Sequence, residues 1–330
     1  MQIDIYGFRE PPFLMTPDAR LFFPSTVHSR AYAHLMYGLA QGEGFVVVTG
    51  EVGAGKTTLI ERLCAELDPA TYVVARIATT QVQGDDLLRL VADAFGAQPD
   101  GDKAAVLRSI MAALRNSPRK HVLIVDEAQA LNHSALEELR MLSNVTDGKR
   151  ALLQTILLGQ PQLRKLIASP DLDQLRQRIL ASFHLGGLSE PEVRSYVEHR
   201  MRAVGWAGNP SWDDQAFGVL HRHTGGIPRR INRLCSRVLL AGALEHAPHL
   251  TAALVEATAS ELDEDLGAGA EEMPAVAAPR GLAVGLPMGA AAQLEDLAQR
   301  VEALEQNAAR RERVLNRLMD LFAETSGDRR

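Results

Sequence analysis

Nine consecutive residues, Gly50-Glu51-Val52-Gly53-Ala54-Gly55-Lys56-Thr57-Thr58, have the types and spacing of a phosphate-binding loop: a glycine, four residues, then Gly-Lys-Thr. Gly50, Gly53 and Gly55 let the backbone turn tightly and aim N–H groups at a polyphosphate. Lys56 can reach the β- and γ-phosphates, and the Thr57 hydroxyl can ligate Mg²⁺. Further along, an apolar run ends in Asp126-Glu127. Asp126 would hold Mg²⁺ through its water shell, and Glu127 would orient and deprotonate an attacking water. Alone, such a pair is more often the first turn of a helix; downstream of a phosphate loop it reads as catalytic. Gln160, in Gly159-Gln160-Pro161, would fall between the two motifs and touch the γ-phosphate or the water. Its alternative is a turn glutamine facing solvent.

These residues need a scaffold that brings distant segments to one edge. Phe45 to Thr49 is an apolar run that reads as a buried strand before the loop. Thr57 to Leu67 reads as a helix after it, with its positive dipole end toward the phosphates. Further strands are expected over 71–77, 121–126, 151–158 and 180–185. Helices are expected over 29–39, 85–95, 103–114 and 134–142, with a turn at Asp147-Gly148. Alternating strands and helices predict an α/β fold with a mainly parallel five-stranded sheet and the ligand at the strands' carboxyl ends. From Ser189, whose spacing to Glu192 makes a capping box, only helices are expected: 190–203, 212–223, 229–243 and 251–262. They would form a small lid, with Trp206 and Trp212 as packing residues.

The domain reading is an N-terminal arm over 1–30, the nucleotide domain over 31–187, the helical lid over 188–264, an Ala/Gly/Pro linker over 265–292 and a heptad helix over 293–323. The arm is rich in aromatics. Either it packs on the core as an extended segment, or part of it, around Phe23 to His28, walls the adenine pocket. In the tail, Leu294, Leu297, Val301, Leu304, Ala308, Leu315, Leu318 and Phe322 follow a three-four spacing, with Arg311 where one apolar residue should stand. That spacing predicts a coiled coil, or else an amphipathic helix docking back on the protein.

Composition narrows the classes. The 330 residues carry 35 basic and 41 acidic side chains, a net charge of −6. That balance argues against nucleic acid as a partner, though local clusters such as Arg229-Arg230 and Arg310-Arg311 leave a DNA-associated ATP switch as the second hypothesis. Two cysteines, Cys64 and Cys235, form neither metal spacing nor a disulfide framework, which points to a reducing, cytoplasmic setting. No signal peptide and no transmembrane stretch is expected.

The motifs together resemble the AAA+ ATPases, whose P-loop domain is followed by an α-helical lid. The phosphate loop, Tyr6-Gly7-Phe8, Pro12-Phe13, Thr16-Pro17-Asp18, Asp126-Glu127-Ala128-Gln129 and Leu158-Gly159-Gln160-Pro161 narrow the resemblance. They point to the general-secretion-pathway-protein-A (ExeA) type, including the ATPases of exosortase and exopolysaccharide loci. The resemblance covers about residues 1 to 262. It implies ATP and Mg²⁺ as ligands, ATP hydrolysis to ADP and phosphate, and a homo-oligomer, with a ring as one form. Its expected partners are envelope, secretion or polysaccharide-export proteins, reached from the cytoplasm at the inner membrane. By position it makes Gln160 a sensor, Arg229 in Gly225-Gly226-Ile227-Pro228-Arg229 a second sensor, and Arg178 an arginine finger for a neighbouring subunit. Arg176 is the close competitor for that last role. Secretion-pathway members carry a membrane segment and a peptidoglycan-binding part after the lid. The linker and heptad tail stand there instead, and favour attachment through protein contacts.

Overall fold

The computed structural model describes residues 5–15, 19–78, 84–148 and 150–267. The chain divides into two units, 1–271 and 272–330, and every element described belongs to the first. The heptad segment 293–323, the linker beyond residue 267 and Thr16-Pro17-Asp18 lie outside the described residues.

The central sheet follows from strands that are apolar on both sides. Strand β1 (Phe45–Gly50) is buried at every residue. Its side chains alternate between two cores: Phe45 and Val47 join one cluster, Val46 and Val48 the other. Strands β2 (Tyr72–Ala78), β3 (Lys120–Asp126), β4 (Leu153–Gly159) and β5 (Ile179–Leu185) complete an all-parallel sheet of order β2-β3-β4-β1-β5. Helices α1 (Thr26–Gln41) and α2 (Lys56–Glu66) cover one face, with Leu35, Leu59 and Ile60 against Val48 and Ile124. Helices α3 (Gly84–Ala94), α4 (Lys103–Arg115) and α5 (His133–Ser143) cover the other, with Leu88, Ile110 and Leu139 against Val47 and Leu123. Each fully buried Leu or Ile contributes about 1.5–3 kcal/mol. Because all five strands run parallel, Gly50, Asp126 and Gly159 reach the same edge.

The helix expected over 29–39 starts earlier, at Thr26. Ser25 is its N-cap: the hydroxyl accepts from His28 N at 3.3 Å. Between β4 and β5 stand two short helices, α6 (Gln162–Ile167) and α7 (Asp173–Arg176).

The lid is built from α8 (Glu190–Ala203), α9 (Asp214–Thr224), α10 (Pro228–Leu244) and α11 (Ala252–Gly267). The capping box at Ser189 and Glu192 is present. The region is not helices only. Ser211–Trp212 pairs in parallel with His249–Leu250, because Asp213 caps α9 and leaves Trp212 extended before it. Trp212 is buried in the lid core, while Trp206 packs at its margin.

The N-terminal arm belongs to this core. Tyr6, Phe8, Phe13 and Leu21 are buried with Val197, Leu234 and Val238. The buried Arg200 ties the arm down, donating to the Pro12 carbonyl at 2.8 Å and the Leu14 carbonyl at 3.4 Å. Burying a guanidinium costs less when its nitrogens have acceptors, and these two carbonyls and the Tyr196 hydroxyl, 3.1 Å away, give each of the three nitrogens one.

Candidate nucleotide site

The loop between β1 and α2 turns on two left-handed glycines, Gly53 (φ 83°) and Gly55 (φ 97°). Only glycine takes such angles without strain. Neither has room for a side chain: a Cβ on Gly53 would stand 2.2 Å from Arg229 Cβ, and one on Gly55 2.5 Å from His28 Nε2. The loop is therefore clasped from both sides, by the lid at Gly53 and by α1 at Gly55. The Arg229 amide donates to the Gly53 carbonyl at 3.2 Å.

Lys56, the first residue of α2, is buried, and its Nζ donates to the Gly50 and Glu51 carbonyls at 2.7 and 3.0 Å. Burial lowers its pKa, opposed by the carboxylates of Glu127, Asp126 and Glu51. Thr57 and Thr58 follow on the same turn and line the same cavity, while Glu51, Val52 and Ala54 complete the loop.

At the carboxyl end of β3, Asp126 accepts from Arg76 Nη2 at 2.7 Å and from the Glu127 amide at 3.0 Å. The backbone then turns into the left-handed region at Glu127 (φ 53°). The Glu127 carboxylate accepts from Gln129 Nε2 at 2.6 Å and Gln160 Nε2 at 3.1 Å. Burial pulls its pKa up, but those two amides and the charges of Lys56 and Arg229 outweigh burial, and the net shift is downward. It stays an ionised acceptor.

Of these groups Lys56, Thr57, Glu127 and Arg229 line one cavity of about 250 Å³, with Leu14 and Phe22 among others on its apolar side, while Asp126 and Gln160 do not line it. Phe23 and His28 line it too, so the arm divides: Phe8 and Phe13 are lid core, while Phe22, Phe23 and His28 face the cavity. His28 is held between the Ser25 hydroxyl, 2.7 Å from Nδ1, and the Ala54 backbone. Burial lowers its pKa, against the Ala54 bond and Glu192.

Arg178 stands elsewhere. Its carbonyl accepts from Phe45 N at 2.9 Å, at the amino end of β1, so the length of the sheet, about 17 Å, separates it from its own phosphate loop. Among the described residues its side chain has no hydrogen bond or ion pair. Arg176 is instead engaged by Asp173 and the Ala168 carbonyl.

The donor set suits a hard cation: a hydroxyl (Thr57) and a carboxylate (Asp126). Among the described residues no three His, Cys, Asp or Glu side chains converge on one point. A cation here would take most of its ligands from phosphate oxygens and water, as Mg²⁺ does.

Two site residues escape sequence reasoning. Gln129 bridges the motifs, since its Nε2 reaches Glu127 while its Oε1 accepts from Gln160 N at 2.9 Å. Arg76 is placed by register: it pairs with Ile124, two residues before Asp126 on the same face of the sheet. A charge within the apolar run of β2 was the available signal.

Residues 39–167 match the family described as AAA domain. Over 248 residues the chain is 40% identical to General secretion pathway protein A of Aeromonas hydrophila, which is 73% of this chain and 45% of that relative. The chain thus spans less than half of the relative's length. In structure it is similar to the Aeropyrum pernix ORC1 protein in complex with DNA, with a TM-score of 0.57 at 14% identity, covering 78% of this chain and 70% of that one. The Aeropyrum pernix ORC2 protein (ADPNP-ADP complexes) gives 0.51 at 17% identity, covering 71% and 66%. At these identities the likeness is one of fold. Among the described residues no helix is long and apolar enough to cross a membrane.

Proposed function

We propose that the chain, which carries an AAA domain over residues 39–167 and is 40% identical over 248 residues to General secretion pathway protein A, hydrolyses ATP to ADP and phosphate at the cavity between the sheet edge and the lid. The observation that carries the reading is the Glu127 carboxylate, held by two glutamine amides on a cavity that Lys56 and Arg229 also line. The loop amides of residues 50 to 58 cradle the phosphates, with the adenine toward Phe22, Phe23 and His28. Lys56 exchanges its two carbonyl partners for the β- and γ-phosphates. Thr57 and Asp126 would hold Mg²⁺, which would supply charge neutralisation to those phosphates. Glu127 takes the proton of the attacking water, Gln160 holds that water or the γ-phosphate, and Arg229 carries the phosphate's state to the lid.

Arg178 serves the site of a neighbouring copy, so the working unit is a homo-oligomer. Its distance from its own loop and its lack of a partner in the described chain support this over Arg176. We further propose that hydrolysis drives assembly or regulation of a secretion or exopolysaccharide-export system, through contacts with envelope proteins. Support comes from the relative's name and the shared 248 residues.

The test is the Glu127→Gln chain, which should bind ATP and hydrolyse it slowly, used as a trap in native cells. Envelope, secretion or polysaccharide-synthesis components retained by the trap and lost with Lys56→Ala would support the export reading. Enriched DNA or a recombination protein would replace it with a DNA-associated switch.

A further inference from the structure

A second cavity, of about 300 Å³, opens at the opposite edge of the sheet. Arg119 and Lys120 bring to it the amino end of β3, Arg150 the segment before β4, and Glu43 the turn before β1. Lys120 and Asp126 are the two ends of β3, so on the order of 20 Å separates this cavity from the nucleotide site.

We propose that this cavity binds a small multivalent anion of phosphate chemistry, held by Arg119, Lys120 and Arg150. The chain as a whole is acidic, with a net charge of −6, yet here three cations converge. Among the described residues none of the three has a carboxylate partner. Each is steadied by a neutral contact that leaves its charge uncompensated. Arg119 donates to the Pro69 carbonyl at 3.3 Å, Arg150 to the Pro118 carbonyl at 3.2 Å, and Lys120 lies 5.7 Å from the centre of the Tyr72 ring. Both arginines also act electrostatically on His121 in the cavity wall, where burial, more than they, keeps the imidazole neutral.

The opposing charges are fewer. Glu43 contributes one, and the carboxyl end of α1 at Gln41 and Gly42 about half of one. Gln154 Nε2 blunts that end by donating to the Gly38 and Glu43 carbonyls at 2.6 and 3.1 Å. Among the lining groups the balance is about one and a half positive charges, and Asp147, across the short antiparallel ladder from Arg150, lowers it further. Guanidinium groups suit phosphate oxygens because their forked donors can meet two at once. A recess of this size fits a compact anion better than a duplex, whose backbone needs an extended basic stripe.

The experiment is calorimetric titration of the full chain, presaturated with ADP so that the phosphate loop is filled, with inorganic pyrophosphate. The expected result is one further site, weakened at least tenfold in Arg119→Ala/Arg150→Ala while ADP affinity stays unchanged. Lys120→Gln, which spares both carbonyl contacts, is expected to weaken it severalfold and serves if the double variant loses ADP binding. No binding to the wild type, or equal binding by the variants, overturns the proposal. So does binding of a 20-base-pair duplex, but not pyrophosphate, that depends on the same arginines.

Discussion

Gln129 Nε2 lies 2.6 Å from the Glu127 carboxylate, and the other end of the same amide accepts from the Gln160 backbone at 2.9 Å. One side chain therefore fixes the distance between the carboxylate after β3 and the turn after β4. It does so where Glu127 stands at φ 53°, a conformation that costs a non-glycine residue on the order of 1–2 kcal/mol. Strain of this kind persists only where surrounding bonds hold it, and here the two glutamines do.

Replacing Gln129 by Ala should lower kcat about tenfold and leave the KM for ATP nearly unchanged, since general-base catalysis is worth about 10²–10⁴ and only its orientation is lost. The amide bond favours the ionised carboxylate, so its loss raises the Glu127 pKa, and the acid limb of the kcat/KM profile should move to higher pH. A steady-state phosphate-release assay across pH reads both effects. An unmoved limb would show that Gln129 serves the fold alone.

Gly53→Ala tests the clasp between loop and lid. The new methyl would meet Arg229 Cβ at 2.2 Å on a backbone at φ 83°. The loop or the start of α10 must shift, and the Arg229 amide bond to the Gly53 carbonyl goes with it. ATP affinity should fall at least tenfold while the far-ultraviolet spectrum of the fold is kept. Wild-type affinity would mean the lid approaches the loop without mattering to the ligand.

Much of this site was legible in the sequence because its chemistry sits in short local motifs. Asp126 and Glu127 stand at the carboxyl end of β3, and Lys56 and Thr57 open the helix that follows β1 and its loop. Gln160 could be placed because strand ends in a parallel sheet share an edge. What could not be read depends on packing between distant segments. Arg76 is aimed by inter-strand register, and Gln129 by the left-handed turn at Glu127. The arm's place in the lid core rests on Arg200 reaching the Pro12 carbonyl 188 residues away. The basic recess draws its three cations from two separate segments, and no local spacing announces it. The helix expected from Trp212 begins two residues later, at Asp214, because the Asp213 side chain caps it there.

If Arg178 works in a neighbour's site, two differently damaged chains should repair each other. Arg178→Ala keeps an intact nucleotide site and lacks the finger, while Glu127→Gln keeps the finger and lacks the base. Each alone should lose activity, the first by as much as about 10³–10⁵. Mixed in equal amounts they should recover a measurable fraction of wild-type phosphate release. Recovery should grow with total concentration. A mixture no more active than its parts would assign Arg178 to its own chain's structure.

Glu192 joins the nucleotide domain to the lid. Its carboxylate accepts from Thr26 N, at the start of α1, at 2.7 Å, and from Ser189 N and Oγ, at the start of α8, at 3.1 and 2.9 Å. Burial raises its pKa, but those bonds outweigh it, and the net shift is downward. A carboxylate with a depressed folded pKa adds stability that is fully present above its unfolded value, about 4.3, and is lost as pH falls through the lower folded value. Glu192→Gln keeps an oxygen acceptor and removes the charge, so it should cost about 1–2 kcal/mol at pH 7. That difference should shrink steadily below about pH 4, where the wild type protonates too. Urea unfolding of both chains at pH 7 and pH 3.5 measures it. A difference that stays constant across that range would mean the charge at Glu192 does not hold α1 to the lid.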